Sequence, residues 1–174
     1  MEIDPSTIRQ VTRLLKKMRA YESEISETAY QRLTEIDREE VIEVLTQLLD
    51  SPNSNLRCQA AETLVKLSPE RGPGIILPYI ESADSTFRWV ICGLLSSYGT
   101  KEAVVPLINV LQSDPEADIR MLAAFALGRI SDKRAVPALQ RAQQHDKGTD
   151  YEGRRVADVA ADAIDAILAR SADT

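Results

Sequence analysis

A short segment recurs along this 174-residue chain at a nearly constant spacing, and this repeat constrains the fold more than any other feature. The three clearest copies align on an arginine and read NLRCQAAETLVKL, TFRWVICGLLSSY and DIRMLAAFALGRI. Successive arginines, Arg57, Arg88 and Arg120, are 31 and 32 residues apart. A period of this length is typical of a solenoid, in which each repeat is one supersecondary unit that contacts only its neighbours.

Each copy follows a second segment with helical spacing of its apolar residues, so the repeating unit is a pair of helices. A fourth copy, VADVAADAIDAIL from Val156, aligns through its alanine pair but has Ala157 at the arginine position. Three upstream segments carry a proline that marks a helix start, because the first helical N–H groups have no partner inside the helix: Pro78, Pro106 and Pro137. The predicted pairs span residues 38–68, 72–99, 101–131 and 133–169.

Residues 1–37 contain two further amphipathic segments, STIRQVTRLLKKMRAY and SETAYQRLTEI. Terminal repeats of a stack are atypical because one of their faces meets water, so we interpret 1–37 as a divergent N-terminal capping pair. The sequence therefore predicts a single all-α domain over 1–174, with about five helix pairs. Polar residues at the start of the second helices are the predicted N-caps: Asn55, Thr86 and Asp118.

This pattern resembles the HEAT-like repeats named after phycobilisome lyases. The resemblance covers about three quarters of the chain and is carried by the Val-Pro of AVVPLI and AVPAL and by the Arg, Ala-Ala and Leu-Gly of DIRMLAAFALG. It implies a right-handed α-solenoid (α-α superhelix) whose second helices line a concave surface. It also implies that the repeated arginines tie neighbouring repeats together through polar contacts, whereas the residues alone would also allow a row of anion-binding sites.

Composition restricts the classes of partner. The net charge of −6 disfavours a surface that follows nucleic-acid phosphates or an anionic membrane. The longest apolar run, WVICGLL, is too short to span a bilayer, and the start MEIDPSTIRQ lacks the pattern of a secretory signal. Cys58 and Cys92 form no C-x-x-C motif and are interpreted as small hydrophobic residues in a reducing compartment. We expect a cytoplasmic protein without nucleic-acid binding or membrane insertion.

The sequence has no pattern typical of a catalytic or metal site. Its one histidine, His145, lies in the loop QQHDKGTDYEG and is interpreted as a solvated group near a helix C-terminus. Some related helical-repeat enzymes hold a di-iron centre through several His-Glu pairs, which one histidine cannot build. Asp158, Asp162 and Asp165 share one side of the last helix and indicate a solvated acidic face rather than a cation site. We therefore expect no catalytic residue, metal or cofactor.

Basic residues cluster on the first helix: Arg9, Arg13, Lys16, Lys17 and Arg19. Such a face is usually only solvated. The alternative is that an acidic partner or an anionic surface docks there.

Helical phase separates the two faces of each second helix, at about 100° per residue. On the third copy, the predicted core face holds Ile119, Ala123, Ala126 and Ile130. The opposite face holds Met121, Phe125 and Gly128. The positions that align with Met121 and Phe125 give the candidate partner-binding residues Cys58, Glu62, Trp89, Gly93, Met121 and Phe125.

On a concave surface these positions would form an apolar strip, with Glu62 and Lys66 at one end and Asp158 and Asp162 at the other. An aromatic anchor inside a polar rim is typical of a binding hot spot, and Gly93 would leave a hollow for a partner side chain. The alternative is that a capping helix or a second copy of the chain covers the strip, so that these residues belong to a core.

We predict a non-catalytic protein–protein interaction module or assembly chaperone that binds a protein in its concave groove, with a second HEAT-like subunit as a further candidate partner. The resemblance implies an alternative, a subunit of a phycobilin lyase that attaches an open-chain tetrapyrrole to a phycobiliprotein. The bilin would then be a transferred ligand rather than a resident cofactor. Its propionates require basic partners, whereas the far end of the expected groove is acidic.

Overall fold

The computed structural model describes residues 4–18 and 23–172. Ten α-helices lie within them: α1 Pro5–Met18, α2 Ser23–Thr34, α3 Arg38–Leu48, α4 Ser54–Leu67, α5 Gly72–Ile76, α6 Ser85–Tyr98, α7 Val104–Ser113, α8 Ala117–Ile130, α9 Val136–His145 and α10 Val156–Ala172. Short 3-10 turns extend three of the first helices: Leu77–Glu81, Lys101–Ala103 and Lys133–Ala135. In these residues the only extended pairing is an isolated bridge between Thr149 and Arg155. The all-α prediction is confirmed.

The helices group into two compact units, Met1–Gly72 and Pro73–Thr174. In the first unit α1 packs against α2, α3 and α4, and α3 packs against α4. The side chains that fill this unit are fully buried, among them Val11, Leu15, Leu33, Leu45 and Leu64. α1 and α2 pack against each other. Their role as an N-terminal capping pair and the assignment of the whole chain to one domain stay predictions.

The second unit is a stack of two layers. The second helices of successive repeats form one layer, in which α6 packs against α8 and α8 packs against α10. The first helices form the other layer, in which α7 packs against α9 and against the 3-10 turn Leu77–Glu81. Buried aliphatic side chains join the layers, among them Leu107, Leu111, Leu127, Leu139 and Ile167. This is the α-solenoid arrangement that the repeat predicts.

Two of the second helices start two residues earlier than the sequence predicts. Asn53 caps α4 and Asp84 caps α6, because their side-chain oxygens accept hydrogen bonds from first-turn N–H groups at 3.0 to 3.3 Å. The residues predicted as N-caps, Asn55, Thr86 and Asp118, lie inside the first turns of α4, α6 and α8, so that prediction is wrong. The prediction took the polar residue that begins the repeated motif as the N-cap, whereas in α4 and α6 the cap is the polar residue two positions before it.

We expect Ser131→Gly to raise the free energy of unfolding by about 1 kcal/mol, because Ser131 ends α8 in the left-handed conformation. Its φ of 59° is the one positive φ of a non-glycine residue in the described chain, and its buried hydroxyl has no hydrogen-bond partner there. Urea unfolding followed by circular dichroism measures the change. Ser131→Ala is the control because it removes the hydroxyl but keeps the strained backbone. Equal stability of the glycine variant and the parent would contradict the strain argument.

Candidate functional site

Arg88 of α6 joins its own repeat to the next one. Its Nε and Nη2 donate to the carboxylate of Asp114, at the end of α7, at 2.7 and 3.3 Å. Its Nη1 donates to the carbonyl of Ser82 at 2.8 Å. The Arg88 and Asp114 side chains are only 12% and 4% exposed, and the hydrogen bond to Asp114 raises the pKa of Arg88. This arginine is therefore held inside the stack.

Arg120 of α8 repeats the same arrangement one repeat later. Its Nε and Nη2 donate to the carboxylate of Asp146 at 2.7 and 2.9 Å, and its Nη1 donates to the carbonyl of Asp114 at 2.9 Å. The hydrogen bond from Arg120 lowers the pKa of Asp146. Asp114 thus contacts Arg88 through its carboxylate and Arg120 through its carbonyl. For Arg88 and Arg120 the ladder interpretation is confirmed, and the alternative of an anion-binding row is wrong.

A cavity of about 360 Å³ opens in the second unit, between α6, α8, α10 and the loop before α10. Three aromatic side chains from separate elements line it, Trp89 from α6, Phe125 from α8 and Tyr151 from the loop. Their exposed fractions are 51%, 49% and 90%. Met121 also lines the cavity but is only 4% exposed, so it contributes a buried apolar surface to the cavity.

The cavity brings together three of the six predicted site residues, Trp89, Met121 and Phe125. Gly93 lies one turn beyond Trp89 on α6, and a Cβ placed on it would have no heavy atom within 4 Å. Cys58 and Glu62 lie on α4 in the first unit, where Cys58 is half-buried and Glu62 is exposed.

The expected face of α8 is only partly exposed. Met121 and Gly128 are buried, and a Cβ at Gly128 would lie 2.9 Å from both Cα and Cβ of Ala163 in α10. The phase analysis is therefore wrong about Met121 and Gly128, because α8 packs against α6, α7 and α10 and not against one neighbour. Phe125 is the member of this face that reaches solvent.

The loop before α10 completes the cavity, and the sequence analysis did not assign it to the site. The backbone N–H of Asp150 donates to the carbonyl of Arg154 at 3.0 Å. The Asp150 carboxylate accepts from the N–H groups of Glu152 and Arg154 at 2.9 and 2.8 Å. These bonds close a short hairpin that presents Tyr151 at its tip. The sequence contains one signal that could have assigned this loop to the site. Tyr151 is an aromatic residue in the longest polar loop, where the repeat spacing lengthens to 37 residues.

Acidic groups dominate the charge around this cavity. Asp118 and Glu152 are exposed, and neither side chain forms an ion pair with a described residue. Asp150 is already compensated by Arg154, at 3.5 Å. The cavity therefore presents two uncompensated carboxylates beside its aromatic rings.

A second cavity, of about 210 Å³, shares Phe125 with the first and has the opposite charge. Its lining contains Asp162 and three arginines, Arg129, Arg154 and Arg170. Asp158 is exposed and forms an ion pair with Arg155, which lowers the pKa of Asp158. Asp158 is thus paired with Arg155, and Asp162 lines a cavity together with three arginines, so this end of the layer of second helices is not the purely acidic one that the sequence predicts.

The other candidate groups are structural or solvated. Cys58 and Cys92 are not joined in a disulfide. Burial raises the pKa of Cys92 to about 12, so its thiolate is not available at neutral pH. His145 is exposed at the end of α9.

The described part of the chain contains no cluster of three or more metal-ligating side chains. The same residues include no helix with the length and apolarity needed to span a membrane.

The basic residues of α1 are exposed: Arg9, Arg13, Lys16 and Lys17. Arg19 lies outside the described residues. This face fits the solvated interpretation, and docking of an acidic partner on it stays a prediction.

Comparisons with known proteins agree with the repeat geometry. An engineered protein solved by the Northeast Structural Genomics Consortium is 22% identical with a TM-score of 0.53, over 91% of this chain and 79% of its own. A second engineered protein from that consortium is 22% identical with a TM-score of 0.46, over 92% of this chain and 51% of its own. No curated protein sequence matches the chain. Residues 74–163, just over half of the chain, match the family of HEAT repeats, and the chain therefore belongs to that family.

Proposed function

We propose that this protein is a non-catalytic interaction module or assembly chaperone that binds a partner protein at the cavity between Trp89, Phe125 and Tyr151. HEAT repeats generally mediate protein–protein interactions. The observation that carries the proposal is a pair of half-exposed aromatic side chains beside a cavity on the layer of second helices. A second HEAT-like subunit is one candidate partner. Two cysteines that are not joined in a disulfide, Cys58 and Cys92, fit the cytoplasmic location that we propose.

The arrangement has the parts that a binding hot spot requires. Trp89 and Phe125 each leave about half of a large ring in contact with water, and burying such area is the main favourable term in association. Met121 provides a buried, polarisable surface next to them. Charged groups at the edge, Asp118 and Glu152, can orient a partner and favour its approach.

We expect Trp89→Ala to weaken partner binding by about 2 kcal/mol, or roughly 30-fold, since central aromatic anchors typically cost this much. Because Trp89 is half exposed, folding stability should fall by less than the ~3–5 kcal/mol of an emptied core site. The partner would be identified by pull-down and mass spectrometry and then titrated against both proteins. Trp89 is the only tryptophan, so its emission should move to the blue as the partner buries it.

Phe87→Ala is the matched control, because Phe87 lies on the same helix but is fully buried. This control should lose stability and, while folded, keep its affinity. If Trp89→Ala behaved like this control, with a large loss of stability and an unchanged affinity, the tryptophan would belong to the core. That result would refute the proposed site.

A subunit of a phycobilin lyase is the second candidate, and one observation favours it. The cavity on the other side of Phe125 is lined by Arg129, Arg154 and Arg170, which are suitable partners for the two propionate carboxylates of a bilin. The test is co-expression with a bilin-producing pathway and an apo-phycobiliprotein. A coloured, covalently modified phycobiliprotein that depends on this chain would support the lyase function, and a colourless one would exclude it.

A further inference from the structure

The aromatic cavity has the composition of a site for a positively charged side chain. Its three rings come from α6, α8 and the loop before α10, so they approach the opening from different sides. A cation near the face of such a ring is attracted by the negative potential of the π system, most strongly at tryptophan. Trp89 and Tyr151 are 51% and 90% exposed and are therefore accessible to a partner.

The carboxylates at the opening favour the same occupant. Asp118 and Glu152 lie on opposite elements, the first turn of α8 and the loop tip, and neither is neutralised by a described residue. A purely apolar side chain would take water from these charges without replacing it, which is unfavourable. An acidic side chain would be repelled. Lysine and arginine combine a cationic head with an apolar stem that can lie against the rings.

The cavity's own arginine does not satisfy this requirement. Arg154 is engaged with Asp150, its neighbour in the hairpin, and it also lines the second cavity. Three carboxylates, those of Asp118, Asp150 and Glu152, thus face one arginine. These four groups carry a net charge of −2, and a positive charge supplied by the partner would reduce it to −1.

We infer that the protein partner inserts a lysine or arginine side chain into the cavity between Trp89, Phe125 and Tyr151, with Asp118 and Glu152 as its counter-charges. This inference rests on the proposed function and specifies the chemistry of the partner segment.

The test uses heptapeptides displayed on phage and selected against the full-length chain. Peptides that bind the parent but not Trp89→Ala are those that use this cavity. We expect them to share a basic residue at one position, and replacing that residue with glutamine should weaken binding about tenfold or more. Glu152→Lys, in a loop, and Asp118→Lys, in a helix, should weaken the same peptides comparably. If both variants weaken peptide binding to a similar extent, the cause is the changed charge, because a local folding defect would differ between a loop and a helix.

Asp165→Lys is the matched control, because Asp165 is an exposed carboxylate of α10 outside both cavities. Asp165→Lys changes the net charge by the same amount as Glu152→Lys and Asp118→Lys do. It should nevertheless have little effect on peptide binding. Peptides that depend on Trp89 but lack a basic residue, or that respond equally to Asp165→Lys and Glu152→Lys, would overturn the inference and leave the proposed function standing. If no selected peptide depends on Trp89, the proposed binding site fails, and the inference fails with it.

Discussion

We expect Asp114→Ala to lower the free energy of unfolding by about 3–5 kcal/mol. The substitution leaves the guanidinium of Arg88 inside the stack without its carboxylate, and a buried charge without a partner is strongly unfavourable. It also removes the acceptor for the N–H of Glu116, which donates to Asp114 at 2.9 Å just before α8 begins. Urea unfolding monitored by circular dichroism measures the loss.

Two controls show whether the buried charge is the cause. Asp158→Ala breaks the exposed ion pair with Arg155 and should change stability little. The double variant Arg88→Met with Asp114→Leu removes both charges, and replacing both partners with apolar residues should restore much of the lost stability. If the double variant is less stable than Asp114→Ala alone, the stack depends on the arginine for another reason.

We expect Gly128→Leu to destabilise the protein by about 1–3 kcal/mol or more, as overpacking of a well-packed site does. Even a Cβ at this position would lie 2.9 Å from the Cα of Ala163, which cannot move without shifting α10. Because α8 and α10 are neighbours in the layer of second helices, the damage should extend to the cavity. The free energy of unfolding and the affinity for a cavity-binding peptide would both be measured.

Gly93→Leu is the matched substitution for this test. Gly93 also lies inside a second helix, but a Cβ there meets no atom within 4 Å. Leucine has the higher helix propensity, by roughly 1 kcal/mol at most, so this variant should be as stable as the parent or more stable. Equal stabilities of Gly128→Leu and Gly93→Leu would show that the close approach of α8 and α10 is not tight in solution.

The repeated arginines made the fold predictable from the sequence, because a structural position that recurs in every repeat leaves a periodic signal. Their acceptors could have been found by the same reasoning. Arg88 and Asp114 are 26 residues apart, and so are Arg120 and Asp146. A search for compensating charges at a constant offset would have located both pairs.

The parts of the site that the sequence did not predict depend on contacts between elements. Gly128 is buried by Ala163 of α10, and the phase of α8 alone carries no information about that neighbour. Tyr151 lies in a segment without a counterpart in the other repeats, so the alignment could not assign it to the column of Trp89 or Phe125. Periodicity predicts what repeats share, whereas this site also depends on an insertion that occurs once.

The hairpin before α10 separates its framework from its exposed tip in the way that antibody loops do. Two hydrogen bonds fix its base: the N–H of Val156 donates to the carbonyl of Gly148 at 3.0 Å, and the N–H of Gly148 donates to the carboxylate of Asp146 at 2.8 Å. Tyr151 and Glu152 contribute no side chain to that framework. The tip can therefore diverge during evolution, or be randomised in a designed library, while the scaffold keeps its structure. This loop is the natural place to alter the binding that we propose.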